Sequence, residues 1–267
     1  MVRWKSWRWV CLLLLVSRPL IGSAANLVLN GGFETNGGVG QIDVSPAISY
    51  ATGWTSGPNS ETAYSFNFIV DANADNSGFP SVNTPDLGTN IFVWGPETPA
   101  NKGGPQNNGF TGSPSGGYFL GMDSGYATGP MSQTINGLDT TKTYRLSFEY
   151  AFGQFTDRFE ATSQSIGVTF GGATSSTPTF NLPERGFSGW QTFSQDFTPT
   201  SASQLLSFLA VGPYGLPPFA FLDNVKIEEV NGPPPPPAVP EPGSLGLAAL
   251  GLCAVVGRYR RLKARQG

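Results

Sequence analysis

From Leu27 to Glu229 the chain is built of short segments in which apolar and polar positions alternate, the period of a half-buried strand. The pattern predicts strands at 27–29, 91–94, 118–120, 131–135, 144–150, 166–170, 191–197, 205–211 and 221–227. Turn-forming pairs such as Asn136-Gly137 and Gly171-Gly172 punctuate them. Between the two ends no stretch offers three turns of helical periodicity. Regularly spaced short strands predict an all-β sandwich.

The ends have a different pattern. Residues 1–25 fit a secretory signal peptide: Arg3, Lys5 and Arg8 precede the apolar run 10–16, and Gly22-Ser23-Ala24 offers a small-residue cleavage site. That run is too short to span a membrane, and Arg18-Pro19 interrupts its continuation. At the far end, prolines 233–237 form an extended spacer within residues 231–238. Val239-Pro240-Glu241-Pro242 comes next, then the apolar stretch 244–257, then Arg258, Arg260, Arg261, Lys263 and Arg265. Fourteen helical residues reach about 21 Å against a hydrocarbon core of about 30 Å, so a transmembrane helix here is a marginal permanent anchor. The basic cluster would keep the C-terminus cytoplasmic and the body outside. A plain tail anchor is the alternative.

This order of motif, short helix and arginines, over residues 239–267, resembles the PEP-CTERM sorting signal of Gram-negative bacteria. The resemblance implies an exosortase as partner, acting at Val239, Pro240, Glu241 and Pro242. It also implies transient residence in the inner membrane, then delivery to the cell surface or its exopolysaccharide matrix.

Charge narrows what the body, residues 26–230, can do. Between Asn26 and Pro240 there are six basic and seventeen acidic residues, a net charge of about −11. Such a body has no basic patch for phosphates, so nucleic acid is not expected as a partner. The chain has no histidine, which excludes Ser-His-Asp and Cys-His catalysis. Its two cysteines, Cys11 and Cys253, lie in the terminal apolar segments, so the body has no disulfide. Cys11 opens its apolar run instead of ending it, which argues against lipidation.

Within the body, Leu29-Asn30-Gly31-Gly32-Phe33-Glu34 comes directly after the signal peptide. Gly53-Trp54, residues 117–120, Ser132-Gln133-Thr134-Ile135, Gly189-Trp190 and Leu222-Asp223-Asn224-Val225 succeed it in order. The ordered set resembles the galactose-binding-like jelly rolls that include many carbohydrate-binding modules. Residues 55–116 depart from the pattern as an insertion of loops. The resemblance implies a jelly-roll β-sandwich, carbohydrate binding without catalysis, and a structural calcium for which Glu34 and Asp223 supply carboxylates and carbonyls such as that of Asn30 complete the shell. The alternative is that Glu34 caps a turn and Asp223 accepts from loop amides. A second calcium-like pattern, Asp71-Ala72-Asn73-Ala74-Asp75, lacks the glycine and glutamate that such a loop needs at later positions.

Sugar binding uses aromatic faces. Trp54, Trp94 and Tyr126 are the candidates, with Tyr64, Phe110, Phe155 and Tyr214 also on loops. Trp54, Trp94 and Trp190 read equally as core residues, and Tyr126, between Gly125 and Ala127, is the best exposed candidate. Hydrolysis would need two carboxylates about 5–10 Å apart. Glu149, Asp157 and Glu160 are near in sequence but nothing pairs them. The expectation is a non-catalytic exported protein of the exopolysaccharide or biofilm matrix that binds carbohydrate. The alternatives are a structural or adhesion protein without sugar binding, and a carbohydrate-active hydrolase.

Overall fold

The computed structural model describes residues 24–43, 48–59, 64–71, 78–81, 90–156, 159–214 and 218–230. Ala25–Gly232 form one compact unit. The signal peptide up to Ser23, the proline spacer, the sorting tail and residues 72–77 of the second calcium-like loop lie outside the described residues.

Two antiparallel sheets face each other. The first runs in the order β1 (Gly40–Gln41), β3 (Asn67–Val70), β6 (Phe119–Asp123), β14 (Pro218–Glu229), β8 (Tyr144–Gln154), β12 (Gln191–Phe197). The second runs β10 (Ala173–Ser176), β9 (Thr162–Phe170), β13 (Ser203–Val211), β7 (Met131–Asn136), β2 (Thr55–Ser56). β11 (Phe180–Leu182) also pairs with β9, and β4 (Phe79–Pro80) pairs with β5 (Asn90–Ile91). Along β6, β7, β8, β9, β12, β13 and β14, each strand lies in the sheet opposite its predecessor. That wrapping, with every strand pair antiparallel, is a jelly roll, the fold expected from the strand pattern.

Alternation explains the main core. In β8, Leu146, Phe148, Tyr150 and Phe152 point between the sheets, where Ile166, Val168, Leu206 and Phe208 meet them from the second. Phe148 packs edge-on to Phe208 with ring centroids 5.1 Å apart. Aromatic contacts of this kind are worth about 0.5–1.5 kcal/mol beyond area burial.

The insertion is not a set of loose loops. Phe219 and Phe221 of β14 point away from the main core, and so do Phe68 and Val70 of β3 and Phe119 of β6. They are buried by Phe66, Ile91, Val93 and Phe110 from the inserted segment, with Trp190 and Phe187 packed alongside. Sheet one is therefore covered on both faces along β3, β6 and half of β14. Its strands there read as continuous apolar runs, which is why Asn67–Val70, buried at every position, shows no alternation.

Two expected strands are shorter or absent. Residues 27–29 form no strand. Leu27 N donates to Ile227 O at 2.9 Å, and Asn26 holds β14 through its side chain, accepting from Ile227 N at 2.9 Å. The chain then turns at 29–32. Of 91–94, only Ile91 lies in a strand, and Val93 makes a lone bridge to Phe155.

Candidate functional site

Two groups of residues stand out, one aromatic and one acidic. The aromatic group lies on the loops that enter β3, join β6 to β7 and join β13 to β14. Asp123, buried at the end of β6, accepts from the backbone N–H groups of Gly125, Tyr126 and Ala127 at 2.9, 3.1 and 2.7 Å. Burial raises its pKa while these bonds lower it, and burial wins. The carboxyl fixes the turn so that Tyr126 projects outward, 48% exposed. Tyr214, 74% exposed, stands with its ring centroid 6.3 Å from that of Tyr126. Behind them Phe66 lies 6.2 Å from Tyr126 and 5.4 Å from Tyr64. Burial raises the pKa of Tyr64, with Tyr126 and Asp123 adding to the shift. Two tilted, wet tyrosine faces on a fixed base suit the apolar face of a sugar ring, with hydroxyls at their edges.

Trp54 and Trp94, expected to stack on sugar, do not line a surface. Trp54 is buried between Phe33 and Phe208, at ring-centroid distances of 5.3 and 6.0 Å, and its Nε1 donates to Asn30 O at 3.0 Å. Trp94 is fully buried. A ring enclosed on both faces cannot take a pyranose, so the core reading holds for these two. Phe110 is buried as well.

The acidic group is built by a bulge. β14 pairs Asp223 with Glu149 of β8, then slips so that Lys226 pairs with Ser147. Asn224 takes the left-handed conformation at φ 52° in that bulge. Val225 N donates to Gly31 O at 2.9 Å, and a Cβ on Gly31 would stand 2.0 Å from Val225 O. The bulge therefore demands glycine at that position of the Asn30–Glu34 motif. Phe33 is fully buried, and Glu34 accepts from Tyr118 N at 2.9 Å.

Glu34 and Asp223 thus come together, with Glu149 as a third carboxylate. A Cβ on Gly32 would lie 3.8 Å from Asp223 Oδ1 and 3.9 Å from Glu34 Cγ, so the space above Gly32 is bordered by both. Ser113, from the insertion, donates to Asp223 Oδ2 and lies 3.2 Å from Glu149 Oε2. Asn224 N donates to Asp223 Oδ1 at 2.6 Å. Among the described residues none of the three carboxylates pairs with a basic side chain. Burial pushes the Asp223 carboxyl up to about 7; the bonds from Ser113 and Asn224 oppose this, and the charges of Glu149 and Glu34 add to it.

The donor set of carboxylates and a hydroxyl matches the hard oxygens that calcium takes. Among the described residues, however, no three acidic side chains converge closely enough to enclose a metal ion. The Asn30 carbonyl is also already used, accepting from Trp54 Nε1 and from Phe33 N at 3.1 Å. Of the other acids considered for hydrolysis, Glu160 is exposed and Asp157 lies outside the described residues.

A groove of about 420 Å³ on the outer face of sheet two was not anticipated. Leu29, Thr55, Ser132, Thr134, Asn136 and Leu205 line it. It carries neither charge nor an aromatic ring, so it lacks the stacking surface that the tyrosine end provides.

Residues 238–261 match the family model of the PEP-CTERM protein-sorting motif. The tail carries a PEP-CTERM sorting signal. Such a signal implies export and sorting to the surface of a Gram-negative cell. The PEP-CTERM tail, including Val239, Pro240, Glu241 and Pro242, lies outside the described residues; among those described, no helix is long and apolar enough to cross a membrane. No curated protein matches the chain in sequence. Among solved structures, the body is similar to the carbohydrate-binding module TmCBM61 in complex with beta-1,4-galactotriose, at 13% identity and a TM-score of 0.39, covering 78% of this chain and 100% of that one. A CBM4 structure is similar at 16% identity, 76% and 99% coverage and a TM-score of 0.32. The CBM22-1 xylan-binding domain of Paenibacillus barcinonensis Xyn10C is similar at 11% identity, 79% and 98% coverage and a TM-score of 0.35.

Proposed function

We propose that the body is a non-catalytic glycan-binding module, displayed outside the cell by its PEP-CTERM tail and associated with exopolysaccharide. The pair of exposed tyrosines at one end of the sandwich, Tyr126 and Tyr214, carries the reading. Tyr126 is held by a turn tied to the buried Asp123 carboxylate, so little of its ordering entropy is lost when a sugar stacks on it. The non-catalytic part is supported by the surroundings of the acids. Asp223 has no solvent-exposed surface, and the Ser113 hydroxyl stands between it and Glu149, so the pair offers no room for a glycosidic bond. A calcium ion at Glu34 and Asp223 completes the proposal in a structural role, neutralising charge that otherwise has no basic partner. Exosortase processing at Val239–Pro242, after transient anchoring of the tail helix in the inner membrane, accounts for delivery.

Binding of the purified full chain to a panel of neutral polysaccharides, run with calcium and with a chelator, tests the reading. Retention on at least one glycan supports it. Absence of retention on all of them under both conditions leaves the structural or adhesion alternative. An unchanged melting temperature on chelation removes the calcium.

A further inference from the structure

Arg185 is held differently from Lys142 and Arg145. Lys142 reaches Glu229 at 2.8 Å, and Arg145 grips Asp196 with two nitrogens at 2.7 and 2.9 Å. Arg185 instead lies against two touching aromatic rings, its guanidinium carbon 4.7 Å from the Trp94 ring centroid and 5.2 Å from that of Phe159. Its one carboxylate partner among the described residues is the adjacent Glu184, at 3.3 Å and half exposed, and its Nε makes no hydrogen bond.

The backbone holds it there at a cost. Arg185 takes φ 58°, a left-handed conformation that a side chain of this length adopts at about 1 kcal/mol or more. Asn108 Nδ2 donates to its carbonyl at 2.9 Å, and Gly186 N donates to Gln154 Oε1 at 3.2 Å. The ring of Trp94 beneath is fully buried, whereas Phe159 is 51% exposed, with ring centroids 5.8 Å apart. A planar, oriented guanidinium thus sits beside a wet apolar ring, its terminal nitrogens donating to nothing among the described residues.

We propose that Arg185 and Phe159 form a second subsite, which takes a carboxylate-bearing sugar, a uronate residue of an acidic polysaccharide. This rests on the glycan-binding reading and narrows its substrate class. The guanidinium fork matches a carboxylate with two parallel N–H donations, and contact with the Trp94 ring holds the group in place. Phe159 supplies a surface for the C–H face of the same ring. The body's net charge of about −11 repels polyanions in general, so affinity for one requires a specific contact of this kind.

The test compares binding of the full chain to polygalacturonate and to the same polymer fully methyl-esterified. The acid form is expected to bind at least about tenfold more tightly, the worth of a charge-assisted bidentate contact, and to weaken as salt is raised. Arg185→Gly suits the left-handed backbone and removes the side chain alone; it should abolish the preference for the acid form. Phe159→Ala, at an exposed position, should weaken binding to both polymers without changing the melting temperature. Equal binding of the two polymers overturns the subsite, and so does an acid preference that survives Arg185→Gly; if that variant does not fold, undiminished binding by Phe159→Ala overturns it instead. If neutral glycans bind through Tyr126 while polygalacturonate does not, this inference falls alone. If no glycan of either kind binds, the proposed function falls with it.

Discussion

Asp223→Asn should flatten the fall in the body's stability with rising pH, leaving only the share that the other buried carboxyl, Asp123, contributes. The folded Asp223 carboxyl has its pKa at about 7, against an ordinary value of 3.8. Between those two values the unfolded chain has lost the proton and the folded chain keeps it. The folded state then binds more protons, so this group's contribution to stability is fully present below about pH 4 and is lost as pH rises through 7. A gap of about three pH units between the folded and unfolded carboxyl corresponds to at most about 4 kcal/mol, or a fall in melting temperature of about 8–16 °C for a body of this size. The cause is structural: Asp223 is fully buried opposite Glu149, without a cation, and like charges paired across strands repel. The assay is thermal melting of the full chain from pH 4 to pH 8 in chelator. Asparagine keeps the shape and loses this titration, so the variant's melting temperature should fall less steeply with pH than the native chain's, Asp123 supplying what slope remains. Millimolar calcium at pH 8 should recover part of the loss in the native chain and none in the variant. Parallel curves for the two proteins across the whole range would refute the reasoning.

The packing sets other outcomes. Gly117→Ala places a Cβ 1.8 Å from Glu34 Oε1 at φ 72°, and should cost about 1–3 kcal/mol by chemical denaturation. Gly31→Ala meets Val225 O in the bulge of β14 and should cost as much or more, measured the same way. Phe221→Ala, buried beneath the insertion, should lose about 3–5 kcal/mol; a loss below about 1 kcal/mol would mean that the second core is ornamental. Deleting residues 239–267 should send the body to the periplasm or medium on fractionation, and unaltered surface retention would contradict the sorting role.

Burial decides which parts of the molecule are legible in the sequence. Strands with one wet face, such as Met131–Asn136 and Ser203–Val211, announce themselves by alternation and lie where the pattern puts them. Asn67–Val70 does not, because the insertion covers its second face and removes the alternating signal. The sorting tail is legible in order of parts alone. The meeting of Glu34 with Asp223 came from family resemblance, and the motif around Glu34 turns out to serve the bulge first, through Gly31 and Asn30. Glu149 and Ser113 were invisible as members of that group, since their approach depends on strand register and on the course of the insertion. Trp54 and Trp94 misled because a tryptophan in a Gly-rich loop looks the same whether it faces sugar or core. Tyr214 had only its loop position to point to it, and its partnership with Tyr126 needs two distant loops folded together.

The tyrosine end is the claim on which the rest depends. Calorimetric titration of a retained neutral glycan into the native chain and into Tyr126→Ala/Tyr214→Ala tests it most directly. Loss of two stacking faces predicts about 1–3 kcal/mol, a fall in affinity of about 5- to 150-fold, with the fold retained because Tyr214 is 74% and Tyr126 48% exposed. Equal affinity of the two proteins would contradict the account.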